Sequence, residues 1–200
     1  MKLKVCGLKY PENILKVMEA KPDYIGFIFY KASPRYAGDL DPEFVRTLTG
    51  AKKVGVFVNE REINILDRVA QYGLDLVQLH GDESPEFCNS ISSFVPVVKA
   101  FQVHAGFELN SVDVYENSCK YFLFDTKTEV RGGSGLAFDH TILNGYDKKT
   151  PFFLSGGLSL ENITVTNSKA YALDVNSKFE TGPGMKNIEK IKILTEKIRA

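Results

Sequence analysis

Short apolar runs recur from one end of the chain to the other, at LKVCGL, YIGFIF, KVGVFV, LDLVQLH, PVVKAF, YFLFDT, PFFLSG and YALDVN. They do not alternate strictly but carry Val, Ile, Leu and Phe on both faces, the pattern of parallel strands covered by helices. Between most of them lie stretches of helical character: PENILKVMEA, DPEFVRTLTG, REINILDRVAQYG, SPEFCNSIS, SLENITVTN and MKNIEKIKILTEKIRA. Pro11-Glu12, Asp41-Pro42-Glu43 and Ser84-Pro85-Glu86 place a proline and an acid in a first turn, which marks helix starts. Eight such units predict an α/β fold, a (β/α)8 barrel occupying residues 1–200 as one domain. A doubly wound open sheet shares the alternation, and only the count of eight and the chemistry at the strand ends favour the barrel. The chain is short for that fold, which usually needs roughly 250 residues. Some helices must therefore be short or degenerate. The fifth and sixth are the weakest, because AGFELNSVDVYENS and AFDHTILNGY are rich in Asn, Asp, Ser, Gly and β-branched residues.

Charge narrows the partners. Lys plus Arg and Asp plus Glu both number 25, so no net positive field exists to hold nucleic acid, and a small molecule is expected. Lys2, Lys4, Lys9 and Lys16 interrupt the first twenty positions, and no later run approaches the length of a membrane span, which predicts a cytoplasmic protein that does not engage a membrane. Cys6, Cys88 and Cys119 are widely spaced and odd in number, against a disulfide framework or a structural zinc site.

In a parallel barrel the functional residues sit where strands run out into the following loops. Those positions hold Cys6-Gly7, the KASPRY segment, Asn59, Gln78 with His80-Gly81, Asp125, Ser155-Gly156-Gly157, and Asp174 with Asn176-Ser177. Side chains alternate along a strand, so Gln78 and His80 share the inward face, as do Leu123 and Asp125, and Asp174 and Asn176. For Asp174 a satisfied internal hydrogen bond is an equal reading; for Cys6 the alternatives are core packing and a reactive thiol. Gly156 and Gly157 suit an anion cradle, since backbone N–H groups without side chains converge on a phosphate and a helix beginning at Ser159 would add its partial positive charge.

The motifs KVCGL, GF-x-F…SPRY, GVFVN, QLHG, FDTK…GGSG-x-x-FD, LSGGL and DVNSKFE…PG-x-K, in that order, resemble those of the phosphoribosylanthranilate isomerase family from residue 4 to about 187. The resemblance implies an Amadori rearrangement in tryptophan biosynthesis, turning N-(5-phosphoribosyl)anthranilate into 1-(2-carboxyphenylamino)-1-deoxyribulose 5-phosphate with no metal and no cofactor. It implies Cys6 as general base and Asp125 as general acid, Arg35 as the fork for the anthranilate carboxylate, and His80 as a substrate contact or an orienting group. Gly156, Gly157, Asn176 and Ser177 would hold the phosphate, with Asp174, Gln78 and Gly133 in support. The partner would be a phosphosugar, and the protein a monomer or homodimer.

Such roles require Asp125 to hold a proton while Cys6 gives one up, the reverse of the usual order of a carboxylic acid and a thiol. Cations near the strand end are expected to lower the thiol. Two features depart from the family pattern: Asn176 and Lys178 replace the serine and glycine of the more usual DVSSGVE, and His140 stands where an aromatic residue is usual after FD. The related isomerase of histidine biosynthesis uses aspartate at both strand ends, which Cys6 contradicts. Indole-glycerol-phosphate synthase uses a lysine and a glutamate not found at these strand ends. A phosphate-binding protein without catalysis would have no reason to keep the acid and base.

Overall fold

A computed structural model of the chain describes residues 1–104, 106–126, 140–163 and 169–199. Eight parallel strands close into a barrel in chain order: β1 (Lys2–Val5), β2 (Tyr24–Ile28), β3 (Lys52–Phe57), β4 (Leu76–Leu79), β5 (Val97–Val103), β6 (Tyr121–Thr126), β7 (Phe152–Ser155) and β8 (Ala172–Val175). Closure comes from β1 pairing with β8, with Lys2 opposite Ala172 and Lys4 opposite Asp174. This settles the choice between barrel and open sheet. Every apolar run named above becomes a strand of the barrel.

The helices follow the sequence signals. α1 (Pro11–Glu19), α2 (Pro42–Thr47) and α4 (Pro85–Ser92) all begin at proline. The Asp41 carboxylate accepts from the Glu43 N–H at 3.0 Å, and the Ser84 hydroxyl accepts from the Phe87 N–H at 3.2 Å, so two first turns carry side-chain caps. α3 (Glu62–Tyr72) ends at Gly73, whose φ of +59° supplies the left-handed turn. α5 (Ile188–Arg199) closes the chain. The fifth and sixth connections are short 3₁₀ segments, Leu109–Tyr115 and His140–Gly145, as their poor helix propensity predicts.

Alternation along the strands separates two apolar sets. Outward residues such as Val5, Phe27, Val77, Phe124, Leu154 and Val175 pack beneath the helices. Inward residues Tyr24, Leu76, Tyr121, Leu123, Phe153 and Ala172 fill the lower barrel, with Phe153 packed at 5.1 Å against Tyr24 and 5.2 Å against Tyr121, ring centre to ring centre. The next inward positions up are polar: Lys4, Gln78 and Asp174, all buried. Cys6 and His80 come one further inward step along β1 and β4, and Asp125 comes one step beyond Leu123 on β6. An apolar plug thus forms the floor on which a polar site is built.

One element was not expected. After β8, a 3₁₀ turn at Ser177–Phe179 leads into an antiparallel hairpin of β9 (Glu180–Gly182) and β10 (Met185–Lys186), with Gly184 at φ +80° in its turn. It returns two charged side chains to the barrel mouth.

Candidate active site

Cys6 follows β1 directly, and its N–H still bonds to the Val175 carbonyl at 2.9 Å, so the thiol is held as rigidly as a strand residue. The side chain is buried, facing Gly26 of β2. A Cβ added at Gly26 would lie 2.7 Å from the Cys6 sulfur, so this glycine is the space the thiol occupies. Gly7, at φ +74°, turns the chain out of the strand beneath Arg35 and Asn176.

Three charged groups act on that sulfur. Burial pushes the Cys6 thiol up, the Lys4 and Lys186 ammoniums pull it back, and Asp174 pushes it further up. The expected lowering of Cys6 is therefore corrected: the cations are present, but loss of hydration on burial outweighs them. Burial also opposes the charge on Lys4, yet Asp174 and Cys6 together hold its ammonium above the ordinary lysine value. Lys4 Nζ donates to Asp174 Oδ2 at 2.8 Å and to Gln78 Oε1 at 2.6 Å. Burial raises Asp174, with Lys4 opposing. Its second oxygen, Oδ1, is buried with no hydrogen-bond partner among the described residues. The internal-hydrogen-bond reading of Asp174 is half of the answer: one oxygen is satisfied by Lys4 and the other is left over at the cavity wall.

Asp125 stands near the end of β6, in register with Gln102 and Ser155 on the neighbouring strands. Its Oδ2 lies 3.3 Å from His80 Nε2, and His80 Nδ1 lies 2.8 Å from Gln78 Nε2. His80 therefore orients against the carboxyl group and is not packed away in the core. Cys6, His80, Asp125 and Asp174 line one cavity of about 300 Å³. The sequence-predicted acid and base, more than a hundred positions apart in the chain, share one compartment.

The same cavity is also lined by Gly156, Gly157, Asn176, Ser177 and Lys178. Both glycines have positive φ, +93° and +59°, a conformation that a side chain would strain. Of the helix expected from Ser159, the described part is one turn, closed by the Ile163 N–H on the Ser159 carbonyl at 2.9 Å and capped by Asn162. Residues 164–168, and Gly133 of the GGSG motif, lie outside the described residues.

Arg35 reaches over Gly7 toward the hairpin. Its Nε and Nη2 donate to the Glu180 carboxylate at 2.9 and 2.7 Å, a side-on fork. Lys186 Nζ donates to the same carboxylate at 2.6 Å and to Asn176 Oδ1 at 2.7 Å. Against the effect of burial, Arg35 and Lys186 hold Glu180 below the usual carboxylate range. Burial lowers Lys186, with Glu180 opposing. Glu180, Gly26 and the buried role of Lys186 escaped the reading by strand ends; the PG-x-K turn after FE was the available signal for a returning hairpin. Away from the site, Cys88 of α4 and Cys119 before β6 are both buried free thiols of the core between helices and sheet.

The family model of N-(5'phosphoribosyl)anthranilate (PRA) isomerase matches residues 3–197. The N-(5'-phosphoribosyl)anthranilate isomerase of Parabacteroides distasonis is 40% identical over 99% of this chain and 93% of its own length. Among solved structures, monomers of the dimeric phosphoribosylanthranilate isomerase from Thermotoga maritima superpose with a TM-score of 0.84 at 32% identity, over 100% of this chain and 99% of that one. A phosphoribosyl anthranilate isomerase in complex with reduced 1-(o-carboxyphenylamino)-1-deoxyribulose 5-phosphate gives 0.85 at 32% identity, over 100% and 98%. Among the described residues no helix is long and apolar enough to cross a membrane.

Proposed function

Because this chain belongs to the N-(5'-phosphoribosyl)anthranilate isomerase family, we propose that its Amadori rearrangement runs between Asp125 as general acid and Cys6 as general base. The observation that carries this reading is their convergence on one cavity from β6 and the end of β1, with the paired glycines in the same lining. Asp125 protonates the furanose ring oxygen while the bond from that oxygen to C1′ breaks and the anilino nitrogen supplies its lone pair, giving an iminium. Cys6 then removes the proton from C2′, and those electrons neutralise the iminium to an enolamine that tautomerises to the ketone.

Burial favours the protonated thiol, so positive charge on the substrate has to favour the thiolate. The iminium carries that charge next to C2′, which acidifies the proton that Cys6 removes. One proton shared between Cys6 and Asp125 serves the sequence, because two anions in one compartment repel.

Gly156, Gly157, Asn176 and Ser177 take the phosphate through backbone N–H groups and short polar side chains, with Lys178 adding charge. Arg35 takes the anthranilate carboxylate. Glu180 occupies the Nε side of its guanidinium, and the Nη1 edge is not part of that pair. Asp174 Oδ1 accepts from a sugar hydroxyl, which gives that buried oxygen its missing partner. A catalytic thiol suits a reducing compartment, so we place the enzyme in the cytoplasm, as a monomer or homodimer. The test is consumption of phosphoribosylanthranilate by the purified protein, followed by loss of its fluorescence, together with rescue of a tryptophan auxotroph lacking this isomerase. Absence of turnover would sink the reading.

A further inference from the structure

A path of three hydrogen bonds, ending in a polar contact between His80 and Asp125, runs along the wall of the cavity. It runs from Asp174 to Lys4 at 2.8 Å, from Lys4 to Gln78 at 2.6 Å, from Gln78 to His80 at 2.8 Å, and from His80 to Asp125 at 3.3 Å. Elementary donor and acceptor rules determine the direction of most of it. An ammonium only donates, so the Gln78 group facing Lys4 is its carbonyl oxygen. The amide nitrogen must then face His80. An amide NH2 likewise only donates, so His80 Nδ1 has to accept with its lone pair. The proton of the neutral ring therefore sits on Nε2, the nitrogen beside the Asp125 carboxyl group.

We propose that Lys4 and Gln78 are positioning residues that lock His80 as the neutral Nε2–H tautomer, so that Asp125 meets a neutral donor throughout the reaction. Protonation of Nδ1 would set one N–H against another and cost Gln78 its bond. The consequence reaches the chemistry. An imidazolium next to Asp125 would stabilise its anion and hold back the proton that the sugar oxygen needs, whereas a neutral N–H can bond Oδ2 both before and after that proton leaves from the other oxygen. The charged groups nearest this path are Lys4, Asp174 and Cys6 at one end and Asp125 at the other. Burying the Lys4 ammonium is costly even with Asp174 beside it, and leucine or methionine would fill the space of Lys4 without that cost. Its presence is explained if it orients Gln78. The proposal rests on Asp125 being the general acid.

The test is the nitrogen spectrum of histidine-labelled protein, in which three histidines are present and His80→Asn assigns the signal. Wild type is expected to show an unprotonated Nδ1 and a protonated Nε2 at neutral pH. Gln78→Glu keeps the shape but replaces the NH2 donor by an acceptor, so Nδ1 should gain a proton and the ring should become imidazolium. Turnover should then fall at least about tenfold, with KM changed about twofold or less. Gln78→Met and Lys4→Met should give mixed tautomers. A protonated Nδ1 in the wild type overturns the proposal whether or not any variant folds, and so does an unaltered tautomer in folded Gln78→Glu. Failure of the underlying acid assignment reads differently: Asp125→Asn would turn over normally while the wild-type tautomer remained as stated.

Discussion

The guanidinium of Arg35 and the carboxylate of Glu180 lie 2.7 Å apart, joining the loop after β2 to the hairpin after β8 across 145 positions of sequence. The arginine proposed to bind the substrate carboxylate is thus held by a residue outside the eight strand ends.

Removing that aim should show in binding. Glu180→Ala is expected to raise KM about tenfold or more with a smaller change in kcat, since the fork loses its orientation but the acid and base stay in place. Arg35→Ala should do the same, and the double variant should be no worse than the more impaired single one. Additive losses in that cycle would separate the two residues.

Glu180 also predicts the acid limb of stability. Its carboxyl is held below the ordinary value by Arg35 and Lys186, against burial. A depressed acid stabilises the fold fully above its unfolded value of about 4.3, and that contribution disappears as pH falls through the lower folded value. Denaturant melts of Glu180→Gln should therefore be weaker than wild type at pH 7 and converge with it in acid. Parallel curves at every pH would remove Glu180 from the linkage.

Space around the base is set by Gly26. A Cβ there would stand 2.7 Å from the Cys6 sulfur and 3.1 Å from its Cα. Gly26→Ala should displace the thiol and lower kcat on the order of a hundredfold, the scale of a misplacement near 1 Å. Normal turnover with an unmoved Cys6 would show that β2 can yield.

The acid and base themselves should behave as a pair. Asp125→Asn and Cys6→Ala are each expected to cut kcat by about 10² to 10⁴, with thermal stability close to wild type. Steady-state kinetics beside melting curves decide it, and a Cys6→Ala enzyme of near-normal kcat would return that residue to core packing.

Burial predicts a slow thiol at Cys6. Alkylation of Cys6, followed by peptide mass spectrometry, should lag a free cysteine near neutral pH and accelerate only above the ordinary thiol range near 8.5. Lys186→Met should slow it further, because that ammonium pulls the thiol down. Faster alkylation in that variant would mean Lys186 shields the sulfur more than it activates it.

Much of this protein is set by local pattern. The apolar runs determine all eight strands, and period-two alternation determines that Gln78 and His80, and Leu123 and Asp125, look inward. The proline-acid starts place α1, α2 and α4, and weak propensity foretells the 3₁₀ segments at 109–115 and 140–145. Motif order along those strand ends singled out Cys6, Asp125 and the glycine pair, which line one cavity in the folded chain. What the tertiary structure decided is everything that depends on closure. Lys4 lies on the Cys6 face by simple counting, but its partners Gln78 and Asp174 come from β4 and β8, and only the β1–β8 seam brings all three together. Gly26 is an unremarkable strand glycine until the sulfur of Cys6 occupies its missing side chain. Glu180 and Lys186 carry no periodic signal, because a two-stranded hairpin is specified by its turn and its docking. The direction of the Cys6 shift belongs here as well: sequence shows nearby cations, but the hydration lost on burial exists only in the folded barrel, and it is the larger effect.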